Sequence, residues 1–425
     1  MKKNKKLILF GIVVILAVCF IIALKVSTSL YGNNEISKEE LPQASAEQNG
    51  GVSTQSDEAN SNDENGVSVQ DASVAVQSVN KSNWDLTKVD IVYDTANVAV
   101  PVPKGYVASG ADGEHTVNTG FVIYEGTTAV TNSNAWNESC TRNQWVWVPV
   151  PDVSRIYETD ANGKKKSKLY QFSSTGRSTY TNSNYEPGVL FYIDIEKAFS
   201  EYGLQGMTKK MLLNELQNEF EETIKSIEKY GGFYIGRYEI GNLSADEPVV
   251  QRMNKDIGDQ NWYGVYKRIK RMSTGTNVRT SMIWGCLWDE TLQWLVDSGA
   301  KTYAEMNDST SWGNCFNSTF EYKTNTSGST STKSTGSSGT RIPSGSTEYS
   351  KANNIYDMAG NVWELTLEGD GMGYRNFRGG SFYNDGSRYP VTYRDGSEPY
   401  YRNENRRGSS VLLYKVALST DGDTL

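Results

Sequence analysis

The chain has 425 residues and a formal net charge of −8, with 50 acidic residues against 42 basic ones. No basic stripe accompanies this acidic balance, so we do not expect nucleic acid as a partner. The chain holds 10 Trp and 26 Tyr, and Tyr in the company of Asn, Ser and Gly suits binding surfaces as well as cores.

The N-terminal segment predicts a membrane anchor. Residues 1–6 contain several lysines and precede an uncharged apolar run at 7–24. That run, at roughly 18 residues, is just long enough to span the hydrocarbon core, and the lysines favour a cytoplasmic N-terminus. A cleaved signal peptide is the alternative, although its apolar region is normally shorter and Ala-x-Ala is absent just after Leu24. We expect a cytoplasmic basic tail, a single transmembrane anchor and an extracytoplasmic C-terminal domain, or a secreted protein if the segment is cleaved.

Residues 26–80 predict a disordered acidic stalk. They are poor in aromatic residues and rich in Ser, Asn, Gln, Glu and Asp. Such a segment cannot bury enough apolar surface to offset the conformational entropy that is lost on ordering. We expect the stalk to hold a globular domain at 85–420 away from the membrane.

The first part of that domain favours β-structure. Runs rich in β-branched and aromatic residues predict strands at 89–93, 98–103, 120–124 and 144–149. Pro101 and Pro103 predict that the second run is an edge strand or an extended segment, because proline cannot donate to a strand ladder. Residues 157–190 contain consecutive lysines with many Ser, Thr and Tyr, which indicates a solvated insertion.

Two later segments predict core helices. Apolar residues at helical spacing run through 208–229, with Thr208 as N-cap and Gly231 at the stop. A second helix is predicted at 287–297. Residues 324–349 are rich in Thr, Ser, Gly and Lys and predict a flexible insertion; the alternative is a segment that shapes a ligand cleft.

The most informative stretch is residues 356–364, with the sequence YDMAGNVWE, followed by RGGSF at 378–382. It places two carboxylates, Asp357 and Glu364, on either side of Gly360, which permits a turn that exposes backbone carbonyls. Calcium is bound in proteins by this mixture of carboxylate and backbone oxygens. The alternative is an ordinary satisfied loop over a core Trp.

These two blocks, in this order, resemble the signature of the formylglycine-generating enzyme, or sulfatase-modifying factor, family. The resemblance extends over 230–418, where GGFYIGRYE at 231–239, Trp288-Asp289 and WGN at 312–314 are similar to further family motifs. It implies an irregular α+β fold related to the C-type lectin domain.

The resemblance also implies a structural calcium ion. Its ligands would be two side chains and two backbone carbonyls, from Asp357, Glu364, Gly360 and Val362. Members of the family that oxidise their substrate carry two reactive, copper-binding cysteines in a C-terminal segment. The matching segment here, 394–408, has no Cys. Because copper(I) chemistry requires soft thiolate ligands, copper is not expected as a cofactor.

The small numbers of histidines and cysteines restrict which iron sites and disulfide bonds the domain can form. Other family members use iron held by histidines, but His115 is the single His and lies outside the matched region. Outside the anchor the chain has only Cys140, Cys286 and Cys315, an odd and sparse count that argues against a disulfide scaffold. One bridge between Cys286 and Cys315 is compatible with that count.

The segment after RGGSF predicts a ligand-binding surface. It is rich in Tyr and Arg, the residues most enriched at binding hot spots, and in lectin-like relatives of the family this region forms the exposed binding face. The alternative is an irregular surface loop with routine Tyr packing. The candidate ligand-binding residues are Tyr383, Arg388, Tyr389, Tyr393, Arg394, Tyr400, Tyr401 and Arg402.

We therefore predict a membrane-anchored extracytoplasmic protein that recognises an unknown surface ligand, whether protein, peptide or glycan, without catalysis. Calcium would serve as a structural ion. One alternative is a divergent metal-dependent oxidase of the same family, and another is a structural protein of the cell envelope.

Overall fold

The structure is a computed structural model that describes residues 81–180, 206–242, 248–254, 261–272, 278–336, 339–369, 373–400 and the strand at 411–414. The chain divides into two units, Met1–Ser68 and Val69–Leu425, and the described residues all belong to the second. The predicted tail, anchor and stalk lie outside them. Within the described residues, no helix has the length and apolar character that crossing a membrane requires.

The described residues form five helices and nineteen strands. The helices are α1 (Ala135–Thr141), α2 (Lys209–Tyr230), α3 (Trp262–Arg271), α4 (Gly285–Asp297) and α5 (Tyr303–Asn307). The strands are β1 (Val89–Tyr93), β2 (Ala99–Pro103), β3 (Tyr106–Ala108), β4 (Val122–Glu125), β5 (Gln144–Pro149), β6 (Tyr157–Thr159), β7 (Lys165–Ser167), β8 (Tyr170–Ser173), β9 (Gly176–Thr179), β10 (Gly232–Gly236), β11 (Arg279–Met282), β12 (Phe320–Lys323), β13 (Thr330–Lys333), β14 (Lys351–Ala352), β15 (Ile355–Tyr356), β16 (Glu364–Gly369), β17 (Arg375–Arg378), β18 (Arg394–Ser397) and β19 (Val411–Tyr414). This mixture of helices with antiparallel sheets agrees with the predicted α+β class.

A six-stranded sheet in the order β11-β19-β10-β5-β4-β3 is the largest in the described part of the chain. Every residue of β5 and of β10 is buried, as expected for strands that are covered on both faces. Gly232 allows the two strands to pack closely, because a Cβ atom there would lie 2.4 Å from the carbonyl oxygen of Val148 and 2.6 Å from the Trp147 ring.

The predicted strands agree with the observed ones within a few residues. β1 and β2 form a separate two-stranded sheet, so Pro101 and Pro103 lie at an edge as expected. The run at 120–124 is shifted to Val122–Glu125, because Gly120 adopts a φ of 98° and ends a short 3₁₀ turn.

The two predicted helices are confirmed. Helix α2 begins after Thr208, whose hydroxyl accepts from the backbone N–H of Met211, and it ends at Gly231 in the left-handed conformation. Helix α4 begins two residues before the predicted Leu287 and is buried over most of its length. Helices α1, α3 and α5 were not predicted, because periodicity needs a longer window than their seven, ten and five residues provide.

The insertion at 157–190 carries two hairpins in its described part, β6–β7 and β8–β9. Their strand residues are almost all exposed or half-buried, as a solvated insertion predicts, but they are attached to the helices. The Tyr157 hydroxyl donates to Glu228 of α2 over 2.6 Å, and Lys165 pairs with the same carboxylate over 2.7 Å.

The segment at 324–349, predicted to be a flexible insertion, contains a strand and a buried stretch among its described residues. Strand β13 pairs with β12, and the stretch from Ile342 to Thr347 is buried. The reason is that a serine- and glycine-rich segment can donate to a buried acceptor: the Ser344 hydroxyl and the Gly345 N–H both donate to Asp357. Composition does not reveal such a distant partner.

The three cysteines of the domain are free thiols, so the bridge considered between Cys286 and Cys315 does not form. Cys286 lies near the start of α4. Cys315 follows the 312–314 turn, and its Sγ atom lies beside Gly386. The two thiols are thus buried against different parts of the chain.

Candidate functional site

The signature loop at 357–363 connects β15 to β16 and lies against the WGN and RGGSF blocks of the sequence. Gly360 and Asn361 have φ angles of 76° and 56°, the left-handed region that glycine and asparagine tolerate best. The Gly360 N–H donates to the Gly379 carbonyl over 2.7 Å, and the Asn361 N–H donates to the Asn314 carbonyl over 2.8 Å. The loop is therefore fixed by backbone bonds to the RGGSF and WGN motifs.

Asp357 is completely buried at the start of this loop. One carboxylate oxygen accepts from the Ser344 hydroxyl and the Gly345 N–H, each at 2.8 Å, and the other accepts from the Ser350 hydroxyl at 2.5 Å. Burial raises the pKa of Asp357, and these three donors act against that shift. The structure thus satisfies Asp357 largely through the segment that precedes it.

Glu364 lies at the end of the loop, and its hydrogen bonding differs from that of Asp357. Its side chain is buried, and among the described residues neither carboxylate oxygen has a hydrogen-bond partner. Burial, followed by the nearby Glu239 and Asp357, raises its pKa well above the ordinary value. A buried carboxylate without donors is unfavourable unless it is protonated or paired with a cation.

Glu239, at the end of the early GGFYIGRYE motif, completes this acidic cluster. One of its oxygens accepts from the Asn361 side-chain amide at 2.6 Å, and the other accepts from the Val362 N–H at 3.1 Å. Burial, and then Asp357, raises its pKa well above the ordinary value. Sequence reasoning did not include Glu239 in the site; the only available signal was its place at the end of a family-like motif.

The three acids provide only hard oxygen ligands. In the described part of the chain, no group of three or more His, Cys, Asp or Glu side chains is arranged to hold a metal ion alone. An ion here would need backbone oxygens in addition to carboxylates. Such a donor set suits calcium far better than copper, and the unpaired Glu364 carboxylate fits a cation at this loop.

The candidate ligand-binding residues occupy different environments. Tyr383 and Tyr400 are 54% and 43% exposed, and Arg388 is exposed as well. Tyr389 and Tyr393 are half-buried, and their rings pack against each other at 4.8 Å and against the Trp363 ring at 6.2 and 6.0 Å. Tyr401 and Arg402 lie outside the described residues.

Arg394 takes part in a buried ionic network. Its guanidinium pairs with Asp289 of α4 at 3.2 Å and with Glu368 of β16, and it stacks over the Tyr180 ring at 4.4 Å. Arg378 of β17 pairs with the same two carboxylates. The guanidinium of Arg394 is thus engaged by internal partners, in contrast to that of Arg388.

The same network attaches the insertion to the site. The Tyr170 N–H of β8 donates to Asp289 over 2.8 Å, so one carboxylate holds two arginines and a strand of the insertion. Arg378 and Arg394 outweigh the effect of burial and hold the pKa of Glu368 below its ordinary value. The network therefore joins α4, β8 and the β16–β18 sheet.

The cysteines are poorly placed for thiolate chemistry. Cys286 and Cys315 are buried, and burial raises the pKa of Cys315 to about 12. Burial also raises the pKa of Cys140. A thiol with a raised pKa is a weak nucleophile and a weak metal ligand at neutral pH.

A family model described as the sulfatase-modifying factor enzyme 1-like domain matches residues 292–407. The match confirms the resemblance inferred from the motifs, over a shorter range than the 230–418 expected. It includes the signature loop, the RGGSF block and every candidate ligand-binding residue. A comparison with curated proteins found no match to the chain.

Proposed function

Since residues 292–407 carry a sulfatase-modifying factor enzyme 1-like domain, we propose that the protein uses this domain for ligand recognition without catalysis. The supporting observation is the distribution of cysteines. Segment 394–408, where oxidising relatives carry their thiols, has none. In this proposal the globular part extends over 85–420 and has the lectin-like variant of the α+β fold.

Exposed aromatic and basic side chains are the proposed contacts with the ligand. Tyr383, Arg388 and Tyr400 are accessible on the segment that follows the RGGSF motif. Tyr and Arg combine a large contact area with hydrogen-bonding groups, which explains their prominence at hot spots. Arg394 is proposed to act differently, because its ion pairs attach strand β18 to α4 and β16.

Calcium is the proposed structural ion of the signature loop. It would be held by the carboxylates of Asp357 and Glu364 and by the carbonyls of Gly360 and Val362. The unpaired, buried carboxylate of Glu364 supports this set, because a cation would relieve its repulsion with Glu239. When bound, calcium would supply charge compensation and rigidity rather than chemistry.

The absence of oxidase activity can be tested directly. Purified full-length protein is incubated with copper(I), oxygen and a cysteine-containing sulfatase peptide, and the peptide is analysed by mass spectrometry. We expect no conversion of cysteine to formylglycine, because Cys286 and Cys315 are buried and burial raises the pKa of Cys140 and Cys315. Turnover would overturn the proposal, and its loss in Cys286→Ser or Cys315→Ser would then identify the responsible thiol.

Membrane anchoring through residues 7–24 is proposed from the apolar run and the preceding lysines. We expect fractionation to place the full-length protein in the membrane with its N-terminus intact. Val14→Arg should shift it towards the soluble fraction, because a charge at the centre of a span costs about 2.5–3.5 kcal/mol, whereas Val14→Leu should not. A mature N-terminus between residues 25 and 50 would contradict the anchor.

A further inference from the structure

A cleft of about 510 Å³ opens beside helix α5, and most of its lining residues carry polar side chains. Its volume lies within the range of small-molecule binding sites. Four separate stretches of chain contribute to it, including two residues of the 324–349 segment. The lining residues are Ala304, Glu305, Asp308, Thr310, Ser311, Asn317, Ser318, Thr319, Thr335 and Tyr349.

Hydrogen bonds between the lining residues fix the walls of the cleft. The Asn317 amide donates to the Thr310 hydroxyl over 3.1 Å, and the hydroxyls of Thr319 and Thr335 lie 2.8 Å apart. The Tyr349 hydroxyl donates to the Thr310 carbonyl, and its ring stacks on the buried Phe320 ring at 4.6 Å. A cleft held in this way loses little conformational entropy when a ligand enters.

The chemistry of the lining selects a class of ligand. The lining side chains include hydroxyls, an amide and the carboxylates of Glu305 and Asp308, and among the described residues of the lining none is Lys or Arg. Glu305 is already paired with Lys301 and accepts from Thr302. Asp308 is therefore the carboxylate that disfavours an anionic ligand. An apolar ligand would displace water from the remaining lone pairs of the hydroxyls and carboxylates, which is unfavourable. A neutral molecule with many hydroxyls can exchange hydrogen bonds with this lining, and the amphipathic ring of Tyr349 can contact its apolar face.

The cleft adjoins the proposed ligand-binding segment. The Gly386 N–H donates to the Asn317 side chain over 2.9 Å, and the Ser309 N–H donates to the Gly386 carbonyl over 3.0 Å. The Phe316 N–H donates to the Asn384 carbonyl over 2.8 Å. The loop with the exposed Tyr383 therefore rests on the wall of the cleft, and Phe316, 38% exposed, lies beside it.

From these observations we propose that the cleft beside α5 is a binding site for a neutral oligosaccharide. The proposal rests on the ligand-recognition function above and specifies its ligand class. Lining hydroxyls and carboxylates would bind the sugar hydroxyls, and Phe316 and Tyr383 would extend the contact at the rim.

The experiment measures sugar binding by full-length protein in a detergent without a sugar headgroup. Chitotriose and maltotriose serve as neutral probes and 3′-sialyllactose as the anionic probe, with saturation-transfer NMR and titration calorimetry as readouts. Ala304→Trp fills the cleft from an exposed position on α5. The matched control is Ala161→Trp, at an exposed position in the turn between β6 and β7.

We expect at least one neutral probe to bind wild-type protein and Ala161→Trp equally, and to bind Ala304→Trp about tenfold or more weakly. Circular dichroism verifies folding, and Ser311→Trp provides a second cleft-filling variant if Ala304→Trp misfolds. The proposal is overturned if neither neutral probe binds, if sialyllactose binds best, or if the filled cleft binds like wild type. Sugar binding and formylglycine turnover are independent measurements, so failure of the cleft proposal and failure of the non-catalytic proposal can be told apart.

Discussion

Asp289→Asn lowers the free energy of unfolding by about 3–5 kcal/mol, the range observed when one partner of a buried ion pair is removed. The Asp289 carboxylate is fully buried and accepts from Arg378, Arg394 and the Tyr170 N–H. Asparagine preserves the shape but leaves two guanidinium groups with a single counter-charge, Glu368. Urea denaturation followed by fluorescence measures the loss.

Asp297→Asn, near the end of the same helix, is the matched control. Asp297 also pairs with an arginine, Arg155 at 3.2 Å, but about a third of its side chain is exposed. Water screens such a pair, so we expect a loss below about 1 kcal/mol. If the two variants destabilise the protein equally, the buried network has no special role in stability.

We expect removal of calcium to lower the melting temperature of the wild-type protein. An ion that binds only the folded state contributes about 2.7 kcal/mol when its concentration is 100 times Kd. Glu364→Ala should abolish the difference between calcium and chelator, because Glu364 contributes the only carboxylate of the proposed set that lacks donors among the described residues. Differential scanning fluorimetry with calcium and with EGTA measures both responses.

Glu228→Ala is the control for this second experiment. Glu228 lies on α2, where it pairs with Lys165 and accepts from Tyr157, far along the chain from the signature loop. The variant should retain the full calcium response. A wild-type melting curve that is identical in calcium and in chelator would contradict the proposed calcium site.

Local sequence signals predicted the regular elements well. Helix α2 has an apolar stripe, a hydroxyl cap at Thr208 and a left-handed Gly231, and all three signals lie within a few residues of the structure they determine. The runs that became β1, β2 and β5 likewise reflect side-chain preferences of the strand itself. The motif at 356–364 likewise contains two acids of the cluster, Asp357 and Glu364, within a few residues of each other.

Interactions between distant residues were not predictable from those signals. Arg394 stands in a segment that favours a surface, yet its partners Asp289 and Glu368 lie 105 and 26 positions earlier in the chain. Residues 342–347 belong to a segment that composition assigns to a loop, but Asp357 recruits Ser344 and Gly345 as donors. Glu239 joins the cluster only because the fold brings the segment after β10 to the loop.

The position of Arg394 also constrains which substitutions this domain tolerates. Its guanidinium is held between Asp289, Glu368 and the Tyr180 ring. A neutral side chain at this position would remove one of the two guanidinium groups that pair with these buried carboxylates, and breaking a buried ion pair is strongly destabilising. We therefore expect residues 289, 368 and 394 to be replaceable only together.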